Sequence, residues 1–192
     1  MVKREVHTRG VVLARQAAGE GSVRVLIYTE ELGLIRAAAT SAREERSKLR
    51  PHLLSGTRGT YSLVKGKAEW RVTGAVGCAH TYYETQEHAA HESAARAVAL
   101  IRQFVHGEGR DEGLFAAVWE LLSSLPALSS KDIQIAEYVA VLRILAALGY
   151  VAKTGVEEFI EAEYTAALLA RASDRKRDLV ALINRGLGES GL

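Results

Sequence analysis

Residues 23–28, Val-Arg-Val-Leu-Ile-Tyr, decide the fold of the first part of the chain. Val23, Val25 and Ile27 occupy every second position, which is the period of a half-buried strand. The same period returns on both sides of this stretch, and glycine-containing turns separate the segments. The pattern therefore predicts five short strands, at residues 8–17, 23–30, 34–41, 58–65 and 68–78.

Five antiparallel strands in so short a segment are typical of a small closed or partly open barrel of the oligonucleotide-binding (OB) type. An irregular or helical stretch, residues 41–54, connects the third and fourth strands. In the last strand, Trp70, Val72 and Val76 are predicted to face one side together. We expect Trp70 to belong to the core of the barrel rather than to a binding surface.

After residue 80 the apolar residues recur every three or four positions, as in amphipathic helices. We expect five helices, with caps at Thr85, Ser130 and Asp174, and with residues 156–172 forming the fourth. The predicted fold class is α+β: a five-stranded OB barrel over residues 1–80, followed by an all-α helical domain over residues 81–192.

The composition excludes several classes of protein. Of the 192 residues, 48% are hydrophobic and 25% are charged, which suits a folded chain with a buried core. One cysteine, Cys78, excludes an intramolecular disulfide and a cysteine-rich zinc site. The sequence has no apolar run long enough for a membrane helix, and its first residues lack the apolar core of a secretory signal. A cytoplasmic protein without membrane partners is therefore expected.

Charge is distributed unevenly along the chain. Residues 1–80 hold 14 Lys and Arg against 7 Asp and Glu, a net charge of +7, whereas residues 81–192 have a net charge of −5. Such asymmetry is expected when one half of a protein meets a polyanion. The alternative is an accidental clustering of charge on a solvated face.

The basic residues of the first half are candidate phosphate contacts, because Lys and Arg along a strand face and its loops can follow a nucleic-acid backbone without reading bases. Aromatic residues are sparse there, so base stacking is expected to be secondary to charge. The candidate DNA-binding residues are Arg15, Arg24, Arg36, Arg43, Arg46, Lys48, Arg50, Arg58, Lys65 and Lys67.

Signals for catalysis or a cofactor are weak. A phosphate-binding glycine loop and a serine nucleophile elbow are both absent. Cys78 and His80 could form a reactive pair, although a lone cysteine at a strand end is more often buried filler. Glu84, His88 and His91 have a spacing that could hold a divalent ion, but a hydrophilic helix start is the favoured explanation of these residues. No metal and no other cofactor is predicted.

Five stretches of the chain carry a family resemblance. They are residues 8–13 (TRGVVL), 29–35 (TEELGLI), 47–53 (SKLRPHL), 142–150 (LRILAALGY) and 183–187 (INRGL). In their order and spacing they resemble the RecO family of recombination mediators. The resemblance implies an OB-like barrel followed by a helical domain.

Two departures from the family pattern stand out. Many members carry a four-cysteine zinc module after the Gly149–Tyr150 stop, whereas this chain continues directly into a predicted helix. Ala17 and Ala18 stand where an aromatic residue often precedes the Gly-Glu pair. The resemblance therefore implies a short form of the family that lacks the zinc module.

The resemblance further implies a non-enzymatic DNA repair protein that acts in the RecF pathway. Such a protein binds single- and double-stranded DNA, anneals complementary strands and helps RecA load onto strands coated by the single-stranded-DNA-binding protein. RecR is a further implied partner, and a nucleoid-associated location follows.

The resemblance also implies that the helical domain captures the acidic C-terminal tail of the single-stranded-DNA-binding protein. Arg102 and Arg143 are the candidate residues for its terminal carboxylates. The alternative is that these arginines pair with Glu137 or Glu120 inside the helical bundle. Two other functions remain open: an OB-fold RNA-binding or assembly module without a recombination role, and an enzyme that uses His88 and His91.

Overall fold

The structure, a computed structural model, describes residues 5–161 and 163–191. The outer ends of the two predicted domain ranges, residues 1–4 and Leu192, lie outside the described residues. Within the described part of the chain, no helix is both long enough and apolar enough to cross a membrane.

The chain divides into two compact units. The first unit contains the residues up to Glu84 together with Val98–Asp111. The second contains Thr85–Ala97 and the residues from Glu112 onward. The predicted boundary between the two domains at residue 80 stays a prediction, which limited proteolysis would test.

Five strands form the centre of the first unit. They pair in the order β1-β2-β3-β5-β4 and close into a barrel, which confirms the predicted fold. All neighbours are antiparallel except β3 and β5, which share a short parallel pairing. The strand bounds are β1 (Glu5–Ala18), β2 (Ser22–Thr29), β3 (Gly33–Ala39), β4 (Arg58–Lys65) and β5 (Trp70–Ala79).

The apolar side chains at every second position of β2 form part of the barrel core. Val23, Val25 and Ile27 are buried, as is Trp70 from β5. Burying one such side chain contributes about 1.5–3 kcal/mol, so the alternation also contributes to the stability of the barrel. In β1 a bulge after Val12 interrupts the alternation, so that consecutive residues face the interior.

The prediction that Val76 faces the same side as Trp70 and Val72 is wrong. The pairing of β4 and β5 shifts register between Ser62 and Leu63, which inserts an extra residue into β5. After a bulge of this kind, the side chains change face. Val76 is consequently 66% exposed, although Trp70 is only 7% exposed.

Residues 107–109 also belong to the first unit, where they form hydrogen bonds with the chain between β2 and β3. The Gly107 carbonyl accepts a hydrogen bond from the Leu34 amide (3.1 Å), and the Gly109 amide donates to the Leu32 carbonyl (3.1 Å). These bonds bracket Gly33, whose φ of +68° favours glycine. A Cβ at this position would meet the Gly109 backbone, so no other residue fits without moving the segment.

Seven helices lie within the described part of the chain after the barrel. They are α1 (Thr81–Glu84), α2 (His88–Phe104), α3 (Glu112–Ser124), α4 (Ser130–Ala147), α5 (Glu157–Glu161), α6 (Ala166–Asp174) and α7 (Lys176–Ser190). Helix α2 contributes its first half to the second unit and its second half to the first unit.

Three predicted helix boundaries are wrong. Ser129, not Ser130, caps α4, because its hydroxyl accepts from the Asp132 amide. The helix predicted over residues 156–172 is divided into α5 and α6, since Thr165 caps a new helix through the Leu168 amide. Asp174 ends α6 instead of capping the next helix.

Candidate nucleic-acid interface

Three arginines project from one outer face of the barrel. Arg24 on β2 lies opposite Ala38 on β3, and Ala38 lies opposite Arg71 on β5. Arg36 is two residues from Ala38 and therefore shares its face. All three arginines are exposed. Arg24 and Arg36 are diagonal neighbours across β2 and β3, a relation that places residues roughly 7–8 Å apart.

Arg71 was not among the predicted contacts. Its outward position follows from the alternation with Trp70 and Val72, but its proximity to Arg24 and Arg36 depends on the parallel pairing of β3 with β5. That pairing joins strands that are distant in sequence. Only the barrel topology reveals it.

A second group of cations lies on residues 41–54, which we call the basic loop. Ala42 and Leu53 are fully buried in the barrel core, and Leu49 packs against that core. These three anchors hold the loop on the barrel while the intervening cations remain exposed. The exposed cations are Arg43, Arg46, Lys48 and Arg50.

The start of the basic loop is held against the turn between β1 and β2. The Arg43 amide donates to the Gly21 carbonyl (2.8 Å), and its guanidinium donates to the Gly19 carbonyl (3.3 Å). Arg43 therefore has a structural role as well as a charge. Glu44 and Glu45 follow it and reduce the net charge of the loop.

Most of the cations on this surface have no internal role. Within the described residues, no hydrogen bond or ion pair engages the side chains of several exposed cations, which leaves their charge available to phosphate oxygens. They are Arg36, Arg46, Lys48, Arg50, Lys67 and Arg71.

Two of the predicted DNA-binding residues form ion pairs at the surface. Arg24 pairs with Glu69 (3.2 Å). Lys65 pairs with Glu108 (3.2 Å) and lies over the Trp70 ring, 5.1 Å from its centroid. Exposed pairs of this kind contribute about 0–1 kcal/mol, so exchanging the carboxylate for a phosphate costs little.

The structure does not bring Arg58 and Arg15 to the exposed surface. Arg58 is 7% exposed, and its guanidinium pairs with the Glu84 carboxylate (2.8 Å). Arg15 is half-buried on β1 opposite the buried Val25. Burial of Arg58 could not be foreseen, because its partner is distant in sequence.

Two titratable groups of the first unit, Cys78 and Glu108, have shifted pKa values. Burial raises the pKa of the Cys78 thiol, which disfavours the reactive thiolate. The Trp70 indole N–H and Lys65 lower the pKa of the Glu108 carboxyl by hydrogen bonding to its charged form. These shifts describe structural contacts rather than an acid–base site.

The candidate metal ligands do not converge. Glu84 pairs with Arg58. The Nε2 atom of His88 lies 3.2 Å from a carboxylate oxygen of Glu92, and the Nε2 atom of His91 is hydrogen-bonded to the Thr85 carbonyl (2.9 Å). Within the described part of the chain, no group of three or more His, Cys, Asp or Glu residues could hold a metal ion.

The two candidate residues for a partner tail lie in different environments. Arg143 is 4% exposed; its Nε donates to the Phe159 carbonyl (2.6 Å), and Nη1 pairs with Glu120 (2.6 Å). The guanidinium also lies over the Tyr164 ring, 4.6 Å from its centroid. This is the internal pairing considered as the alternative. Arg102 is exposed near the end of α2.

A closed five-stranded barrel with exposed cations on one face and on an adjoining loop defines an OB-type domain. Residues 1–75 match the family model described as recombination protein O, N terminal. Residues 1–75 therefore carry the N-terminal domain of the RecO family, and the resemblance predicted from the sequence is confirmed for this part of the chain. No curated protein matches the chain. The family match indicates a role in DNA recombination and repair.

Proposed function

We propose that this protein binds single- and double-stranded DNA through the cationic outer surface of its barrel and acts as a recombination mediator. The observation that carries the proposal is the shared face of Arg24, Arg36 and Arg71 beside the basic loop, on a domain that matches the RecO family. OB barrels commonly hold oligonucleotides on the face of their second and third strands. Arg24 and Arg36 lie on these strands.

Binding through such a surface is sequence-independent. Arg and Lys neutralise phosphates and release counterions, which supplies affinity without reading base edges. Backbone contacts of this kind are available in both single strands and duplexes. A protein that holds two complementary strands by their phosphates leaves the bases free to pair, which is the requirement for annealing.

The mediator role follows from competition for the same phosphates. Loading of RecA in the RecF pathway requires access to strands that the single-stranded-DNA-binding protein covers. A cationic surface can hold such a strand without bond-making residues, so we propose a non-enzymatic function.

Two measurements test the proposal. Equilibrium binding to a labelled single strand, a duplex and an RNA of the same sequence should show that the protein binds both forms of DNA, with affinities that fall steeply with salt. Annealing of complementary strands coated by the single-stranded-DNA-binding protein should be faster with the protein present. Tight RNA binding without DNA binding or annealing would favour an RNA-binding or assembly module instead.

We also propose that the acidic C-terminal tail of the single-stranded-DNA-binding protein docks on the second unit. Because Arg143 is engaged internally, a groove of about 610 Å³ between α2 and α4 is the better candidate. Its lining combines Ile133 and Tyr138 with two cations and two carboxylates. Because Arg96 pairs with both carboxylates, Glu92 and Glu137, the exposed Lys131 is the cation left for the terminal carboxylate of a tail with apolar side chains. Lys131→Glu should weaken binding of a tail peptide, whereas Arg102→Glu should not.

RecR is proposed as a further partner on the strength of the family match alone. Co-sedimentation of the two purified proteins tests this interaction. Migration of each protein as in its absence would contradict it.

A further inference from the structure

Three large hydrophobic side chains are exposed within the described part of the chain. They are Val76 (66% exposed), Tyr82 (59%) and Tyr83 (71%). All three belong to one short stretch, the end of β5 and helix α1, within the first unit. We call the two tyrosines and Val76 the tyrosine platform.

The rings of the platform are ordered against each other. The Tyr82 and Tyr83 rings meet edge to face, with centroids 5.4 Å apart and planes at 88°. The His80 ring lies 5.5 Å from the Tyr83 ring. Aromatic pairs favour such geometry, and a tyrosine ring loses little conformational entropy on binding.

Both ends of α1 are tied to the barrel. At its start, His80 Nδ1 accepts from the Tyr82 amide (3.2 Å), and Nε2 bonds to the Ser55 carbonyl (2.9 Å). At its end, Glu84 pairs with the buried Arg58. Arg58 is thus a positioning residue for the platform rather than a surface cation.

The anchor at Ser55 brings the platform beside the basic loop. Ser55 follows directly on the last residue of that loop, and Arg50 is only five residues earlier in the chain. Such a segment reaches at most about 18 Å even when fully extended. The residue that anchors the platform therefore lies within about 18 Å of Arg50, an exposed cation that has no internal partner in the described residues.

We propose that the tyrosine platform stacks against unpaired bases of a single strand whose phosphates lie along the basic loop. The proposal rests on the DNA-binding function proposed above and adds a site for bases to it. Single-strand binding proteins combine a cationic groove with exposed aromatic rings in this way. A duplex hides its base faces, so this site favours single strands.

The test compares Tyr82→Ala/Tyr83→Ala with the matched control Tyr82→Phe/Tyr83→Phe, using fluorescence anisotropy of an oligothymidylate and of a hairpin duplex. The alanine variant should bind the single strand about 5- to 100-fold more weakly, the usual effect of removing base stacking. Duplex affinity should stay within about twofold, and the phenylalanine variant should bind as the parent does. The salt slope should not change, because no cation is removed.

A second measurement uses the unaltered protein. An oligonucleotide of the same length with abasic sites keeps its phosphates but loses its stacking faces. It should bind the parent more weakly than the intact strand, and the alanine variant should show no such difference, since the two changes remove the same interaction.

The outcomes separate this inference from the function on which it depends. If the parent binds no DNA, both proposals are wrong. If the parent binds DNA and the alanine variant holds the intact single strand equally tightly, only the platform proposal is wrong. An alanine variant that loses as much affinity for the duplex as for the single strand also overturns the platform proposal.

Discussion

Replacing Arg143 by Ala should destabilise the helical unit strongly. The buried guanidinium donates to the Phe159 carbonyl (2.6 Å), pairs with Glu120 and covers the Tyr164 ring. Alanine removes all three interactions and leaves a cavity where the long side chain was. The substitution therefore tests whether this arginine is structural.

The magnitude can be worked from the contacts of Arg143. A hydrogen bond from a charged donor contributes about 1.5–3 kcal/mol and a cation–π contact about 0.5–2 kcal/mol. The ion pair contributes at most about 1 kcal/mol, because the Glu120 side chain is 44% exposed. The expected loss is about 3–5 kcal/mol, whereas Glu120→Gln should cost about 1 kcal/mol or less.

Urea unfolding followed by far-ultraviolet circular dichroism measures the difference. With a denaturant slope of about 2 kcal/mol per molar, the midpoint should fall by about 1.5–2.5 M for Arg143→Ala. A shift indistinguishable from that of Glu120→Gln would refute the reasoning. Because the alanine variant is expected to be unstable, weaker binding of a partner peptide to it would report unfolding rather than a lost contact.

Three further predictions concern a glycine turn, an acidic side chain and metal ions. Gly33→Ala should speed amide exchange in the segment around Gly109, whereas Gly19→Ala, also at positive φ but facing open space, should leave that exchange unchanged. Glu108 has a lowered pKa, so its contribution to stability is complete above its ordinary pKa of about 4.5 and is lost as pH falls below that value. Glu108→Gln should therefore flatten the acid side of the stability profile. A chelator should leave the melting temperature unchanged, and a drop of several degrees would contradict metal-independent folding.

The barrel could be predicted because its signal is local. Alternation within β2 and glycine-containing turns predict strands without knowledge of their partners. The exposed position of the Val76 side chain could not be predicted, since it depends on how β5 pairs with β4. The break between α5 and α6 was missed because the apolar pattern continues across it, while the Thr165 cap determines where the new helix begins.

The candidate site was predicted in its composition but not in its arrangement. The exposed loop cations Arg46, Lys48 and Arg50 follow from polarity alone. Arg58 has the same charge, yet the fold buries it beside Glu84, a carboxylate that is distant in sequence. The pairing of Arg143 with Glu120, in contrast, was one of the two alternatives that the sequence offered. Arg71 joins the exposed group through a strand pairing that no local pattern reveals.

The salt dependence of DNA binding tests the central proposal most directly. We compare the parent with Arg46→Ala/Lys48→Ala/Arg50→Ala, which leaves the Arg43 contacts in place. The control removes three exposed cations of the second unit, through alanine at Lys153, Arg177 and Arg185.

Each lost phosphate contact lowers the single-strand salt slope by about 0.7, so the loop variant should lose about 2 from the slope and bind about 100-fold more weakly at about 0.1 M salt. The control variant should keep the parent's slope and affinity. A loop variant that binds DNA like the parent, or a control that loses as much, would contradict the placement of the DNA-binding surface on the barrel.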